Sequence, residues 1–208
     1  MVQTIAADNL TLYDLQQHFQ LQQTEDPFFF SEWQENLPVL TESEQQRLSR
    51  VRQIVANLEQ RSVLENTVKL AVVAPLLDLS GLFLPPFYVS TENSVEIEAR
   101  DETTVVRGRI DILVIKDQLW VLVIESKRAE FSPKVGIPQV LSYMLAAPQR
   151  GLSLYGLVTN GTDFVFLKLL RQDHPLYARS RQFILAQDHD LEQVLQILKR
   201  LAGIVAQL

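Results

Sequence analysis

The sequence predicts one α/β unit built around a mixed central sheet flanked by helices, with a helical appendage at the N-terminus. Three observations support this prediction: helical spacing of apolar residues before position 75, strand-like alternation after position 94, and a crossover helix between two strand regions. The 208 residues suffice to bury a sizeable core. We expect residues 1–60 to form the appendage, packed on a main domain of residues 61–208.

The N-terminal region contains two predicted helices after an irregular, Gln-rich segment of forty residues. Thr41 and Glu44 fit a capping box, in which two side chains satisfy backbone groups at a helix start. Leu48, Val51 and Val55 follow at spacings of three and four and predict a buried stripe. A second helix should begin near position 62 and be ended or kinked by Pro75, which clashes with the preceding turn.

Three strands of a meander are predicted between positions 94 and 127. Val95 and Ile97 alternate with acidic residues, as in a half-buried strand. Residues 104–115 and 119–127 follow, and the short turn between them predicts an antiparallel hairpin. The third strand is apolar on both faces, which indicates a central strand covered on both sides.

The remainder of the chain predicts a helix, a hairpin and a last helix. The helix over residues 135–147 would make the next strand parallel to the third, so the sheet should be mixed. Asn160-Gly161 separates two alternating runs, 152–159 and 162–170, and is a strong hairpin signal. Asp190 is predicted to cap the final helix.

Composition excludes several classes of protein. The chain has no cysteine, which rules out disulfide scaffolds, thiol nucleophiles and Cys-ligated metals. Its formal charge of −6 argues against broad, non-specific coating of nucleic acid, but leaves room for a local basic strip. No secretory signal is evident at the start, and Asp78 and Pro85-Pro86 interrupt the most apolar region, so we expect a cytoplasmic protein without a membrane partner.

Three ionisable residues stand out in the otherwise apolar hairpin of the second and third strands. Glu125 and Lys127 are two apart and share a strand face, and the tight turn should fold Asp111 back beside Glu125. Two neighbouring carboxylates repel, so a cation must offset them. Lys127 and a hard divalent ion bound by oxygen could do so, and together they suit hydrolysis of a phosphodiester. The plain alternative is a salt-bridged strand end.

These residues carry a family resemblance. The segments GRIDILV (108–114) and VLVIESK (121–127) resemble the PD-(D/E)XK nuclease superfamily, which has an Asp on one strand and Glu-x-Lys on the next. On the following helix, Gln139 and Tyr143 are similar to the Q-x-x-x-Y motif of its RecB-like branch and of type I restriction-subunit nuclease domains. The sequence departs from the pattern in having Ile110 before Asp111, where the family name has Pro.

The resemblance implies a restriction endonuclease-like αβββαβ core and Mg²⁺-dependent (or Mn²⁺-dependent) cleavage of DNA. It implies that Asp111, Glu125 and Glu65 bind the metal, that Lys127 positions the attacking water, and that Gln139 and Tyr143 orient Lys127 or the phosphate. Glu65 has a competing interpretation, because Ser62 to Glu65 also fits a capping box. Glu98, on the polar face of the first strand, is the substitute candidate.

A modest basic strip is the candidate DNA contact, and it comprises Arg107, Arg109, Arg128 and Lys134. Interleaved acidic residues limit its field, so a homodimer or a partner protein would strengthen binding. The alternative function is a catalytically silent nuclease-fold module that serves as a protein- or DNA-binding scaffold. Whether the chain acts as an endonuclease or an exonuclease stays open at this point, although an endonuclease is the expectation.

Overall fold

The computed structural model describes residues 3–58, 60, 64–98, 104–128 and 132–207. In these residues a mixed sheet lies between two layers of helices, which confirms the predicted fold class. The strands are β1 (Gln3–Ala6), β2 (Gln22–Gln23), β3 (Phe87–Glu98), β4 (Thr104–Lys116), β5 (Leu119–Ser126), β6 (Ser153–Thr159), β7 (Asp163–Leu170) and β8 (Leu176–Ile184). The helices are α1 (Leu12–Phe19), α2 (Glu42–Leu58), α3 (Glu65–Val68), α4 (Ala74–Leu79), α5 (Ile137–Ala146) and α6 (Asp190–Ala206).

The strand order is β1-β4-β5-β6-β7-β8-β2, and β3 pairs with the other side of β4. β4 and β5 form the predicted antiparallel hairpin, and β6 and β7 form the second. β5 and β6 are parallel, as the crossover helix α5 requires. Residues 121–126 of β5 are buried on both faces, so β5 is the covered central strand that its sequence indicates.

Each face of the sheet has its own core. On one face α1 and α5 pack on the sheet through residues such as Leu15, Val140 and Met144. On the other face α2, the α3–α4 region and α6 contribute Leu48, Leu76 and many others. The hydrophobic periodicities of α2 and α6 therefore match the sides on which these helices are buried.

The helical region around Pro75 differs from a simple break. Residues Lys69–Val73 form a π-helical stretch that joins α3 directly to α4, and Pro75 lies in the first turn of α4. In a π-helical turn the hydrogen bonds span five residues instead of four. This wider turn leaves space for the proline ring and does not depend on the N–H that proline lacks. The helical region continues to Leu79, whereas the sequence predicts an end or a kink at Pro75.

The N-terminal segment is less purely helical than the sequence indicates. β1 pairs in parallel with β4, and β2 pairs in parallel with β8, so this segment extends the sheet at two separate places. Strands of four and two residues are too short to show a period in sequence. The predicted division at residue 60 therefore does not separate the segment from the sheet.

Two further differences concern the C-terminal third. β8 follows β7 in antiparallel pairing and has no counterpart in the sequence prediction. His189 precedes α6 at the cap position, and Asp190 is instead the first helical residue. Its carboxylate accepts hydrogen bonds from Arg181 and from the backbone N–H of Ile184, so it ties the helix to β8. None of the helices in the described part of the chain is long and apolar enough to cross a bilayer.

Candidate active site

The site lies in a gap along one side of β4. On that side, residues 104–107 pair with β1 and residues 112–116 pair with β5. Among the described residues, positions 108–111 have no strand partner there. The backbone N–H of Arg109 instead donates to the Tyr143 hydroxyl of α5 (3.2 Å). The strand pairing along this side of β4 is therefore interrupted from Gly108 to Asp111, next to the end of β5.

Asp111 is fixed at this gap by contacts to both of its carboxylate oxygens. Oδ2 accepts from the backbone N–H of Ser126 (2.9 Å) and from its hydroxyl (3.0 Å). Oδ1 accepts from the ammonium of Lys69 (2.6 Å), in the π-helical stretch after α3. These bonds hold Asp111 across the end of β5, one residue beyond the last β4–β5 pair.

Glu125 is the buried carboxylate of the site. The structure brings it beside Asp111, as the register of the hairpin predicts. Burial, and next the charge of Asp111, raise the pKa of Glu125 to about 7, although Lys127 acts in the opposite direction. Oε1 accepts from Lys127 Nζ (2.9 Å), but Oε2 is buried with no hydrogen-bond partner among the described residues.

Lys127 lies at the centre of a polar chain that runs onto α5. Its Nζ donates to Glu125 Oε1 and to Gln139 Oε1 (2.5 Å), and Gln139 Nε2 donates to the Tyr143 hydroxyl (2.8 Å). Burial raises the pKa of Tyr143 to about 12, so this phenol is neutral. Gln139 and Tyr143 are about one helical turn apart and share a face of α5, so they can form this series of hydrogen bonds.

Two glycines allow α5 to come this close. A Cβ on Gly108 would lie 2.5 Å from Cε1 of Tyr143, and one on Gly136 would lie 3.2 Å from Cε of Lys127. Both positions therefore need the absence of a side chain for close packing. Gly108 admits the tyrosine ring against β4, and Gly136 admits the aliphatic part of Lys127 at the start of α5.

Glu65 lies close enough to influence the site electrostatically, whereas Glu98 lies far from it. The charge of Glu65 is one of the influences that raise the pKa of Glu125, which places it near the other two carboxylates. Ser62 lies outside the described residues, and Leu64 is the N-cap of α3, without a side-chain cap. Glu98 pairs with Val105, far along β4 from Asp111, so the structure does not bring the substitute candidate to the other carboxylates.

The acidic residue that β3 supplies is Glu92. It lies opposite Asp111 between the pairs Thr91–Ile112 and Asn93–Ile110, with a positive φ of 58°. Its carboxylate binds Lys69 (3.2 Å) and Arg109 (2.8 Å). This left-handed conformation is uncommon for a residue with a side chain and marks a position held by its surroundings.

The predicted basic strip is present but partly neutralised. Arg107 pairs with Glu96 (2.6 Å), and Arg109 pairs with Glu92, although both side chains stay mostly exposed. Arg128 and Lys134 are exposed beside the end of β5 and the start of α5. Arg100, a further basic residue of this region, lies outside the described residues. Two of the four residues of the predicted strip are therefore paired with acidic residues of β3.

The donor set fits a divalent cation in part. The unpartnered Glu125 Oε2 is a buried carboxyl oxygen that a cation would satisfy, and Asp111 is its neighbour. Both oxygens of Asp111, however, already accept hydrogen bonds. Within the described ranges, no group of three or more His, Asp or Glu side chains is placed to hold a metal ion. A divalent cation would be held by Asp111 and Glu125, and Lys69 would have to leave Asp111 for it to bind.

Sequence reasoning missed Lys69, Ser126 and Glu92. Lys69 follows Glu65 by four residues, so helical spacing could have placed it on the same side as Glu65. Ser126 stands between Glu125 and Lys127, and its role depends on its backbone N–H, which no residue pattern reveals. Glu92 lies opposite Asp111 in a regular β3–β4 register, but it precedes position 94, where the sequence predicts the first strand to begin.

Several solved structures resemble this chain, among them the following two. One is a fragment assigned as the HsdR subunit of a type I restriction enzyme from Vibrio vulnificus YJ016, with 20% identity, a TM-score of 0.41, and coverage of 68% of this chain and 26% of that one. The other is the DrdV–DNA complex, with 17% identity, a TM-score of 0.44, and coverage of 75% and 13%. No protein-family profile and no curated protein matches the sequence.

This chain thus spans about a quarter of the first protein and a smaller share of the second. Both TM-scores and both identities are low. The chemistry of this chain is therefore inferred from its own residues.

Proposed function

We propose that this protein is a divalent-metal-dependent deoxyribonuclease of the PD-(D/E)XK type, with Mg²⁺ or Mn²⁺ as its cofactor. The observation that carries the proposal is the unpartnered, buried Oε2 of Glu125, which lies beside Asp111 on the carboxylate whose other oxygen accepts from the ammonium of Lys127. A buried anionic oxygen without a donor is unfavourable unless a ligand completes it. A hard cation is the ligand that two carboxylates favour.

A bound Mg²⁺ or Mn²⁺ would polarise a phosphoryl oxygen and make a water molecule more acidic. Asp111 and Glu125 would hold it, and Glu65 would contribute through the metal or its water. Asp111 is already fixed by Ser126, so this ligand needs little reorganisation beyond the release of Lys69.

Lys127 has the geometry of a positioned cation. Two of its three N–H groups bind Glu125 and Gln139, which leaves the third for an attacking water or a phosphate oxygen. Gln139 is held in turn by Tyr143, and Tyr143 by the backbone of Arg109. Gln139 and Tyr143 are thus positioning residues, and the developing negative charge would be stabilised by Lys127.

DNA would reach the site along the basic strip. Arg107, Arg109, Arg128 and Lys134 would contact phosphates of the bound strand. Because Arg107 and Arg109 are paired with acidic residues, the net attraction is modest, and binding should weaken steeply with salt. A second copy or a partner protein would add phosphate contacts.

The test is cleavage of plasmid, linear duplex and single-stranded DNA by purified protein with Mg²⁺, with Mn²⁺, and with a chelator. We expect cleavage that requires the metal and is lost in Asp111→Ala. The plasmid also separates internal cutting, which gives nicked and linear forms, from end-dependent cutting. Metal-independent cutting, or cutting unchanged in Asp111→Ala, would overturn the proposal.

One observation favours a second candidate, a catalytically silent nuclease-fold module that serves as a scaffold. Lys69 neutralises Asp111 with no metal, as a salt bridge would in a protein that never binds one. Calorimetric titration with Mn²⁺ separates the candidates. A scaffold should show no binding that depends on Asp111 and Glu125, whereas the nuclease should.

A further inference from the structure

An apolar cavity of about 420 Å³ opens beside Asp111, on the side away from Lys127 and Gln139. Its walls are the side chains of α3, the π-helical stretch, α4, the turn after α4, and the middle of β3. Leu70, Phe83 and Val89 supply apolar surface, and Asn66 and Thr91 supply polar groups at its edge. Lys69 and Asp111 also line it, so the cavity is continuous with the candidate active site.

The apolar residues at the mouth are unusually exposed. Leu70 is 76% exposed and Phe83 is 46% exposed, although both are large and neighbour a charged site. Leu84, the next residue in the turn, is 63% exposed. Apolar surface grouped in this way beside polar residues is typical of a binding site, because the fold gains nothing from leaving it in water.

The turn that carries Phe83 is held in place by its backbone. The N–H of Leu82 donates to the carbonyl of Leu77 (3.0 Å), and the N–H of Leu84 donates to the carbonyl of Gly81 (3.1 Å). The side chain of Leu82 is buried in the core. Phe83 is therefore presented on an anchored turn, which reduces the ordering cost when a flat ligand stacks on its ring.

We infer that this cavity receives an unstacked base of the DNA strand, from the nucleotide next to the phosphate that the acidic site cleaves. This inference rests on the proposed nuclease function. A base is flat and largely apolar on its faces, which suits Phe83 and Leu70, and has donors and acceptors on its edge, which suit Asn66 and Thr91. Lys69 lines the cavity and its ammonium binds Asp111, so the phosphate that connects this base to the acidic site would pass close to it.

The inference has a consequence for substrate class. A base can enter the cavity only when it has left the helical stack, which is cheapest in single strands, at mismatches and near ends. We therefore expect the protein to prefer single-stranded or locally unpaired DNA over an intact duplex. Stacking on an aromatic side chain tolerates all bases, so little sequence preference should come from this cavity.

The test is binding of metal-free protein, in a chelator, to two fluorescent single-stranded oligonucleotides of equal length. One has a thymine on every sugar, and the other has the same backbone with abasic sugars at its central positions. Wild type should bind the base-bearing strand about tenfold more tightly, the size of one stacking contact. Phe83→Ala and Leu70→Ser should lose this preference while binding the abasic strand as wild type does.

Phe28→Ala is the matched control, because Phe28 is an exposed aromatic residue (79%, against 46% for Phe83) that does not line the cavity. It should keep the tenfold preference, and thermal unfolding should show that all three variants fold. Equal binding of the two strands by wild type, or an unchanged preference in Phe83→Ala, overturns the inference. If wild type cuts DNA with metal but shows no base preference, the cavity assignment alone fails. If it neither binds nor cuts DNA, the proposed function fails.

Discussion

The ammonium of Lys69 lies 2.6 Å from Oδ1 of Asp111, and both side chains are mostly shielded from water. Burial alone would lower the pKa of Lys69, but the hydrogen bonds and charges of Asp111 and Glu92 together raise it. Lys69 is therefore a cation at neutral pH and occupies an oxygen that a metal ion would need. A divalent cation that binds Asp111 through this oxygen must displace Lys69.

Removing this cation should strengthen metal binding. We expect Lys69→Met to raise the affinity for Mn²⁺ about tenfold, because the competing charged hydrogen bond is worth on the order of 1.5 to 3 kcal/mol. Calorimetric titration of purified protein measures this change. Lys116→Met is the control, since Lys116 binds the carbonyls of Val205 and Ala206 instead. An unchanged or weaker affinity in Lys69→Met would show that Lys69 and the metal do not compete.

Lys127 should be required for cleavage but not for folding. We expect Lys127→Ala to lower the rate of metal-dependent plasmid cleavage about 100-fold or more, as the loss of a positioned catalytic group does. Arg50→Ala, a change of an exposed cation on α2, should leave the rate unchanged. The rate is measured from the disappearance of supercoiled plasmid. Cleavage by Lys127→Ala at the wild-type rate would remove Lys127 from the mechanism.

The raised pKa of Glu125 predicts a pH-dependent stability in metal-free protein. Because its pKa is about 7 in the folded state and 4.5 for an unperturbed glutamate, the folded state holds a proton that the unfolded chain releases. The stability that this bound proton contributes is fully present below about pH 4.5 and is lost as the pH rises through about 7. It amounts to at most about 3 kcal/mol.

Urea denaturation in a chelator at pH 5, 6, 7 and 8 tests this expectation. The free energy of unfolding of Glu125→Gln should increase relative to that of wild type as the pH rises, because glutamine carries no charge to bury. Glu96→Gln, at an exposed glutamate, should follow wild type at every pH. A constant difference between Glu125→Gln and wild type from pH 5 to pH 8 would contradict the assignment.

The Tyr143 hydroxyl should matter more for activity than for folding. Tyr143→Phe keeps the ring against Gly108 but removes the acceptor for Gln139 and for the Arg109 N–H, so it should cost about 1 to 2 kcal/mol of stability. Because Gln139 then holds Lys127 less firmly, cleavage should fall about tenfold. Tyr177→Phe, which removes a hydroxyl bonded to Gln23, should lower stability without changing cleavage. Equal cleavage by the two variants would argue against the positioning role.

A methyl group at Gly108 should disturb the site through packing. We expect Gly108→Ala to lower the free energy of unfolding by about 1 to 3 kcal/mol, because the new Cβ would overlap Tyr143 and Ala7. Gly203→Ala, on open surface of α6, should instead be neutral or stabilise by up to about 1 kcal/mol. Thermal or urea unfolding of the three proteins measures the difference. A Gly108→Ala protein as stable as wild type would show that α5 can move away from β4.

Much of the fold follows from local patterns. The Thr41–Glu44 capping box forms as predicted, with the backbone N–H of Thr41 donating to Glu44 Oε2 (2.7 Å). The two hairpins and the parallel β5–β6 pair also agree with turn signals and crossover logic. β1, β2 and β8 were not predicted, because short strands are stabilised by the sheet they join and show little periodicity of their own.

The sequence by itself determined the α/β class, the hairpin that carries Asp111, Glu125 and Lys127, and the helical spacing of Gln139 and Tyr143. These features depend on residues close in the chain, so their geometry follows from helix and strand periods. The tertiary structure decided that Lys69 and Ser126 hold Asp111, that Glu92 and not Glu98 is the β3 carboxylate, and that a cavity opens beside Phe83. Such contacts join elements distant in sequence, and they form only when packing fixes the distance between those elements.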